Sequence, residues 1–393
     1  MKFLPYVLKH LRRNKVRTLS TVLGMAICIF LVCVLQTMTD AMRKSLESAA
    51  PDRLVTRHNV SLVFDLPLAY KPRIERVPGV RRVAVANWFG GYYQDEKNFF
   101  ANFAVEAEPY LEMYPEIILP PDQKEAFLKD LKGAIVGRVT AEKFGWEVGD
   151  TVPLQSVIPP YQLPNRLWEF TIRGIYDVDL DRYPGFDRTM MFFHFRHLYE
   201  ALGQRVNAGT FYVQIDDPSR AAAIARTIDA EFENSAEQTK TETEQAFFAS
   251  FAAMGGNLTR LLNFIGMAVA FTVLLVTANT MSMAVRERRT EIAVLKTLGF
   301  PGWLVMILIL VEALLISVSA GLIGIGLAWL LVRAIPSLPG AGALSFFGIT
   351  NLTVSAVVAS LTFGIAVLLG LSAGFVPAFG SYRARITSML RTT

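Results

Sequence analysis

Chemistry in this 393-residue chain would have to start from a few polar clusters, and most of them lack what their chemistry requires. His194-Phe-Arg-His197 sets two histidines three apart, whereas a zinc-binding helix carries them four apart with a glutamate after the first. Asp177, Asp179 and Asp181 alternate like the opening of a calcium loop. The sixth position is Arg182 rather than glycine and the twelfth is Arg188 rather than glutamate, so the loop would neither turn sharply nor close on an ion. Cys28 and Cys33 share one uncharged run, where a thiol is a poor nucleophile and no disulfide framework is indicated. No Gly-x-x-x-x-Gly-Lys-[Ser/Thr] loop occurs to cradle ATP phosphates. Neither a catalytic residue nor a bound metal is expected. What remains is a dense run of charges, Arg286, Glu287, Arg288, Arg289, Glu291 and Lys296, and one carboxylate, Glu312, inside an apolar stretch.

The elements that must carry these residues follow from composition. The chain is 52% hydrophobic and 19% charged, with mean hydropathy +0.35, too apolar for a water-soluble domain of this length or for disorder. Thr18 to Thr39 is free of charge and long enough, at about 33 Å as a helix, to cross a bilayer. Three further stretches qualify, Leu261 to Val285, Trp303 to Val332 and Leu352 to Pro377. The first run is longer than a signal-peptide core and no small-residue cleavage site follows it, so an uncleaved anchor is expected.

Charge placement orients the spans. Lys2, Lys9, Arg12, Arg13, Lys15 and Arg17 precede the first, the Arg286 to Lys296 run lies between the second and third, and Arg383, Arg385 and Arg391 follow the fourth. The positive-inside rule makes all three segments cytoplasmic, with both termini inside. Asp40 to Thr259 holds 24 Lys and Arg against 31 Asp and Glu. The net charge of +5 is therefore a topological label, and a nucleic-acid partner is excluded. That acidic region reads as mixed α and β, with strands around Val83–Asn87, Phe99–Val105, Ala134–Val136, Phe170–Tyr176, Thr189–Phe193 and Thr210–Ile215. Helices are expected over Pro121–Leu131, Arg196–Leu202 and Ser219–Phe232.

Between spans two and three, Ile292, Leu295 and Leu298 fall at helical spacing, and Gly299-Phe-Pro301 ends the helix. The order Arg286-Glu-Arg-Arg-Thr-Glu291-Ile292-Ala-Val-Leu295-Lys296-Thr-Leu-Gly299 resembles the coupling-helix signature of MacB-type, or type VII, ABC transporter permeases. Other segments resemble the same family in order: the basic amphipathic Met1 to Asn14, Ile74-Glu-Arg-Val-Pro-Gly-Val80, and Ala134-Ile-Val-Gly-Arg138 with Ala141 to Asp150. So do Phe170 to Ile175, Glu312-Ala-Leu-Leu with Gly321-Leu-Ile-Gly324, and Pro377-Ala378 before Arg383.

The resemblance implies a polytopic α-helical membrane protein of four transmembrane helices, with a large mixed α/β extracytoplasmic domain of two lobes between helices 1 and 2. Its implied parts are a cytoplasmic helix over 1–17, span one over 18–39 with a stalk to about 50, and a periplasmic domain over 51–244. One lobe would combine about 50–103 with 207–244, and the other, about 104–206, would be inserted. A stalk and span two follow over 245–285, the coupling helix over 286–300, spans three and four over 303–332 and 352–377, and a cytoplasmic tail over 378–393.

The resemblance further implies a bacterial inner-membrane location and two copies of a separate cytoplasmic ABC ATPase, which would bind the ATP and magnesium; this chain would bind no cofactor. Arg286, Glu287, Arg288, Arg289, Glu291 and Lys296 would make charged contacts in an ATPase groove, with Ile292 and Leu295 as the apolar anchor and Gly299 as the helix stop. A second permease subunit, identical or paralogous, is implied, with a periplasmic adaptor, outer-membrane channel or lipoprotein as further partners. Small residues at Gly266/Ala270, Ala320/Gly324 and Gly370/Gly374, with Gly321, would let helices approach closely. Glu312 has three roles open to it: packing or pairing with an interfacial Arg or Lys, coupling between the ATPase-side helix and span two, or proton transfer. The function expected is a non-catalytic membrane subunit that converts ATP hydrolysis into periplasmic motion for export or extraction. The alternative is an FtsX-like signalling subunit that activates a periplasmic enzyme such as a peptidoglycan hydrolase.

Overall fold

A computed structural model of the chain describes residues 13–162, 167–254, 256–335 and 352–384. The basic helix expected over Met1 to Asn14 lies outside the described residues up to residue 12, as do Arg385 and Arg391. The described chain divides into two compact units, one built on the long apolar helices and one on Ala41–Gly256.

In the first unit, the helices Lys15–Glu47, Gly256–Glu287, Gly302–Ala334 and Ala356–Arg383 each hold a stretch long and apolar enough to cross a membrane. The first helix buries Met25, Ala26, Ile29, Cys33 and Thr37 along one stripe and leaves Leu19, Leu23, Ile27 and Leu31 exposed along another. Both follow the three-to-four-residue spacing that keeps side chains on one helix face. The third and fourth helices pack together through small residues, Ser317 and Ala313 on one and Gly370 and Gly374 on the other. The fourth starts at Ala356, where the Ser355 hydroxyl accepts a hydrogen bond from the Val358 amide. It passes through Pro377 and ends at Arg383 rather than at the proline. Proline removes the donor that the Ala373 carbonyl would otherwise use and crowds the preceding turn; one turn later the Ser381 hydroxyl donates to the Pro377 carbonyl at 2.9 Å.

The second unit is built on ten strands: β1 (Arg53–His58), β2 (Val80–Trp88), β3 (Gly91–Tyr92), β4 (Asn102–Val105), β5 (Gly133–Gly137), β6 (Thr151–Ser156), β7 (Trp168–Tyr176), β8 (Met191–His194), β9 (Thr210–Ile215) and β10 (Thr239–Thr243). They form one sheet in the order β10-β1-β9-β2-β4-β8-β5-β7-β6-β3. Strands from the two ends of the domain's sequence make one half, and the inserted sequence, with β3 returning to it, makes the other. The halves meet at the parallel β4–β8 pair, Asn102 opposite Met191 through Val105 opposite His194. Alternation divides neighbouring residues between two cores: Leu54, Val83, Val85, Phe193 and Val213 face one side, and Val55, Ala84, Ala86, Phe192 and Tyr212 the other. Both faces are covered, so the strands read as apolar runs rather than as alternating ones.

Candidate functional site

The helical path turns between the second and third long helices. Arg288 leaves helical geometry at φ −104°, ψ 14°, and a separate helix runs over Arg289–Thr297. It closes with the Phe300 amide on the Leu295 carbonyl at 3.1 Å and the Gly299 amide on the Lys296 carbonyl at 3.1 Å. Gly299 takes φ +93°, a left-handed conformation that costs glycine little. Pro301 follows, and the next helix begins at Gly302.

This connecting helix and the two residues leading into it are tied to three other elements by their charges. Arg13 reaches Glu291 at 2.6 Å, and Arg17 reaches Glu287 at 2.7 Å, with Asn14 donating to Glu287 at 3.4 Å. Arg288 grips Glu312 with two parallel hydrogen bonds of 2.6 and 2.8 Å, the fork geometry that makes Arg–carboxylate pairs directional. Lys296 donates to the Ser381 and Ala384 carbonyls at 2.8 Å and to Tyr382 at 3.3 Å, capping the fourth long helix where its orphan carbonyls and negative dipole end lie. Burial pushes this ammonium down from its ordinary pKa.

The apolar residues of the connecting helix divide between two directions. Ile292 and Ala293 are buried among Met281, Val305, Ile309 and Ala378 of the same chain. Ile292 is therefore an internal anchor rather than an outward one, and Leu295 is half-buried. The apolar side chains that face outward are Val294 and Leu298, 49% and 70% exposed, flanked by exposed Arg286 and Arg289. The small residues singled out in the sequence also serve packing within the chain. A methyl group at Gly370 would lie 2.3 Å from the Ser317 Cβ, one at Gly374 2.6 Å from the Ala313 Cβ, one at Gly324 2.7 Å from the Ala26 carbonyl, and one at Gly321 3.2 Å from Ala366.

The second unit holds an ionic cluster that sequence reasoning missed. Arg53, buried at the start of β1, is held bidentately by Glu116 at 2.8 and 3.1 Å and by Glu244 at 2.7 Å. It also donates to the Met113 carbonyl at 2.9 Å, and its guanidinium lies 4.1 Å over the Tyr114 ring. Glu244, the first residue of the helix Glu244–Met254, accepts from the Tyr114 hydroxyl at 2.5 Å and from the Ala50 amide at 3.3 Å. One guanidinium thus joins the chain just after the first long helix to the root of the helix that leads toward the second. Burial and the Glu244 charge push the Tyr114 phenol far above its ordinary pKa, so it stays a donor. Nothing local in the sequence marks this cluster, because Glu116 and Glu244 are 63 and 191 residues from Arg53.

The remaining polar candidates have structural roles. His194 hydrogen-bonds the Phe127 carbonyl at 2.7 Å, while His197 lies edge-on to Trp168 and Phe170. Asp177 pairs with Arg138 at 2.6 Å and Arg188 at 3.2 Å, and Asp179 closes a turn on the Asp181 and Arg182 amides. Among the described residues no group of three or more His, Cys, Asp or Glu gathers as a metal site. Gly370-Leu-Ser-Ala-Gly374 spells the pattern of a hydrolase nucleophile turn but lies mid-helix, without the strand-to-helix bend that would present a serine.

Two family models match the chain. Residues 18–231 match the model of the MacB-like periplasmic core domain, and residues 263–386 match the FtsX-like permease C-terminal model. Curated proteins give no significant match. Among solved structures, the extracellular domain of the noncanonic ABC-type transporter YknZ from Gram-positive bacteria is 12% identical, with TM-score 0.34, over 48% of this chain and 99% of that one. The periplasmic region of MacB from Actinobacillus actinomycetemcomitans is 6% identical, with TM-score 0.37, over 52% of this chain and 94% of that one. With one family model spanning more than half of the chain and a second spanning most of the rest, this protein belongs to the MacB/FtsX-type ABC permeases.

Proposed function

We propose that the protein is the non-catalytic membrane subunit of an ABC complex, in which the connecting helix receives a push from a separate ATPase and passes it to the inserted α/β domain. The observation that carries this reading is the set of ties on the connecting helix. Through Arg13, the Arg288–Glu312 pair and the carbonyls at Ser381 and Ala384, a displacement of Arg289–Thr297 loads the first, third and fourth long helices together, while Arg17 ties the first to Glu287 at the end of the second. ATP and magnesium belong to the ATPase, taken as two copies serving two permease subunits, identical or paralogous. The basic segments, Arg13 to Arg17, Arg286 to Lys296 and Arg383, would lie in the cytoplasm of a bacterial inner membrane, with the inserted domain in the periplasm. A motion delivered there serves export or extraction of a cargo, with an adaptor, channel or lipoprotein as the periplasmic partner. The same motion would also suit a signalling subunit.

The ATPase would meet the outward side, Val294 and Leu298 with Arg286, Arg289 and parts of Glu287 and Glu291, rather than Ile292. Co-purification tests this directly. Leu298→Asp, which changes an exposed residue, is expected to weaken association with the ATPase at least about tenfold while the chain keeps its melting temperature. Full association of Leu298→Asp together with Val294→Asp would remove the proposed docking side.

A further inference from the structure

The inserted domain contains a cavity of about 400 Å³. Protein interiors close-pack and leave few voids larger than a water molecule, so a space of this volume has the size of a binding site. Its floor is the sheet face that carries Ala86, Phe103, Phe192 and Tyr212. Phe247 and Phe248 wall it in from the helix that follows β10.

The cavity runs along the strands. It reaches from Arg53, at the start of β1, to Thr210, which pairs with Arg57 four residues further along that strand, a run of about 13 Å. Leu62 and Val63 border it from a loop whose Val60, Val63 and Phe64 are 77%, 86% and 53% exposed, so the apolar surface continues beyond the cavity.

The charged groups of the lining are answered from within the protein. Arg53, its one cation, is held by Glu116 and Glu244. Asp187 accepts from the Thr189 amide at 2.7 Å and hydroxyl at 2.6 Å and is faced by the charge of Arg188. Asp65 is exposed, in the same loop as Leu62 and Val63. An ion brought inside would lose its water without finding an unengaged counter-ion, whereas an apolar chain gains by leaving water.

We propose that this cavity binds the alkyl chain of a single-chain amphiphile, tail first, with the chain against Tyr212 and Phe247 and the polar head left in solvent beside Leu62 and Val63. The length of the run suits a linear chain, and the engaged charges of the lining make the interior a site for an uncharged one. Binding here needs no ATPase, so its failure and a failure of the docking of the connecting helix are separable.

The test uses the full chain in peptidiscs and a dodecanol photoprobe carrying a diazirine near the end of its chain. Peptide mapping is expected to find the probe on the Phe186–Phe192 and Phe247–Phe248 segments as well as on the long apolar helices. Plain dodecanol and dodecanoate are both expected to compete for the label in the inserted domain, because each can enter tail first. Dodecanedioate, which would have to bury a carboxylate, is expected to need at least about tenfold more. Val63→Asp, a change at an exposed residue, is expected to lower this label about fivefold, and Ala49→Trp, which places bulk at the wall, to abolish it. Labelling confined to the long apolar helices would overturn the proposal. So would competition by dodecanedioate equal to that by dodecanol, or labelling of the inserted domain that neither variant changes.

Discussion

Arg288 and Glu312 stand 24 residues apart in sequence and meet through two charge-assisted hydrogen bonds, with side chains only 15% and 9% exposed. Arg288 lies at the break between the second long helix and the connecting helix, and Glu312 lies ten residues into the third. The pair therefore fixes the angle at which the connecting helix leaves the bundle. A carboxylate in an apolar span needs such a partner, and proton transfer is not required to explain it. Removing one member leaves a shielded charge alone. Glu312→Leu is expected to cost about 3 kcal/mol of stability and Arg288→Met a similar amount. The double variant should recover most of the melting temperature in detergent while ATPase stimulation stays low. Recovery of both would show that the pair only packs.

The cluster around Arg53 gives a second prediction of the same kind. Arg53→Met leaves Glu116 and Glu244 facing each other in a buried site and is expected to destabilise the inserted domain by about 3–5 kcal/mol. Adding Glu116→Gln and Glu244→Gln should recover part of this. Limited proteolysis of the full-length protein at increasing temperature would read both outcomes.

Close approach of the third and fourth long helices depends on Gly370. Gly370→Val would force its Cβ onto Ser317, 2.3 Å away, and is expected to cost about 1–3 kcal/mol, visible as earlier thermal aggregation in detergent. Ser317→Gly in the same chain should recover part of the loss, because it removes the atoms that clash.

Acid should loosen the inserted domain first through its histidines. Burial lowers the pKa of His194 and of His197 below the ordinary 6.5, so the unfolded chain takes up protons before the folded one does. Their contribution is fully present above about pH 6.5 and is lost as the pH falls from there through the folded values. Replacing His194 with Gln, which can still donate to the Phe127 carbonyl, should flatten the fall in stability below pH 6.5. Asp187, raised by burial, acts with the opposite sign at more acid pH, where protonation relieves its desolvation.

How much of this could be read in advance depended on the range of the interaction. The four apolar helices and most strands follow from hydropathy and spacing, which are local; Thr210–Ile215 is a strand over the residues expected. β1 and β10 were not anticipated, because Arg53, Arg57, Lys240 and Glu242 interrupt their apolar pattern and their pairing joins segments nearly two hundred residues apart. The charged run at Arg286 to Lys296 stood out as a motif, yet the sequence could not assign each charge its partner. Helical spacing grouped Ile292 with Leu295 on one apolar face but could not say which part of that face would turn inward. That depended on Val305, Ile309 and Ala378, which arrive from other helices.

The sheet of the inserted domain is one plate with a seam. Its five strands on the Arg53 side and its five on the β7 side are joined in the backbone ladder by the short parallel pair Asn102–Val105 with Met191–His194. The ladder is narrow around this seam: β2 and β4 share three residue pairs, β4 and β8 four, and β8 and β5 three. In the proposed coupling, a twist entering at the Arg53 cluster would have to cross this narrow waist, where the rings of Phe103 and Phe192 stack at 6.2 Å across the parallel pair.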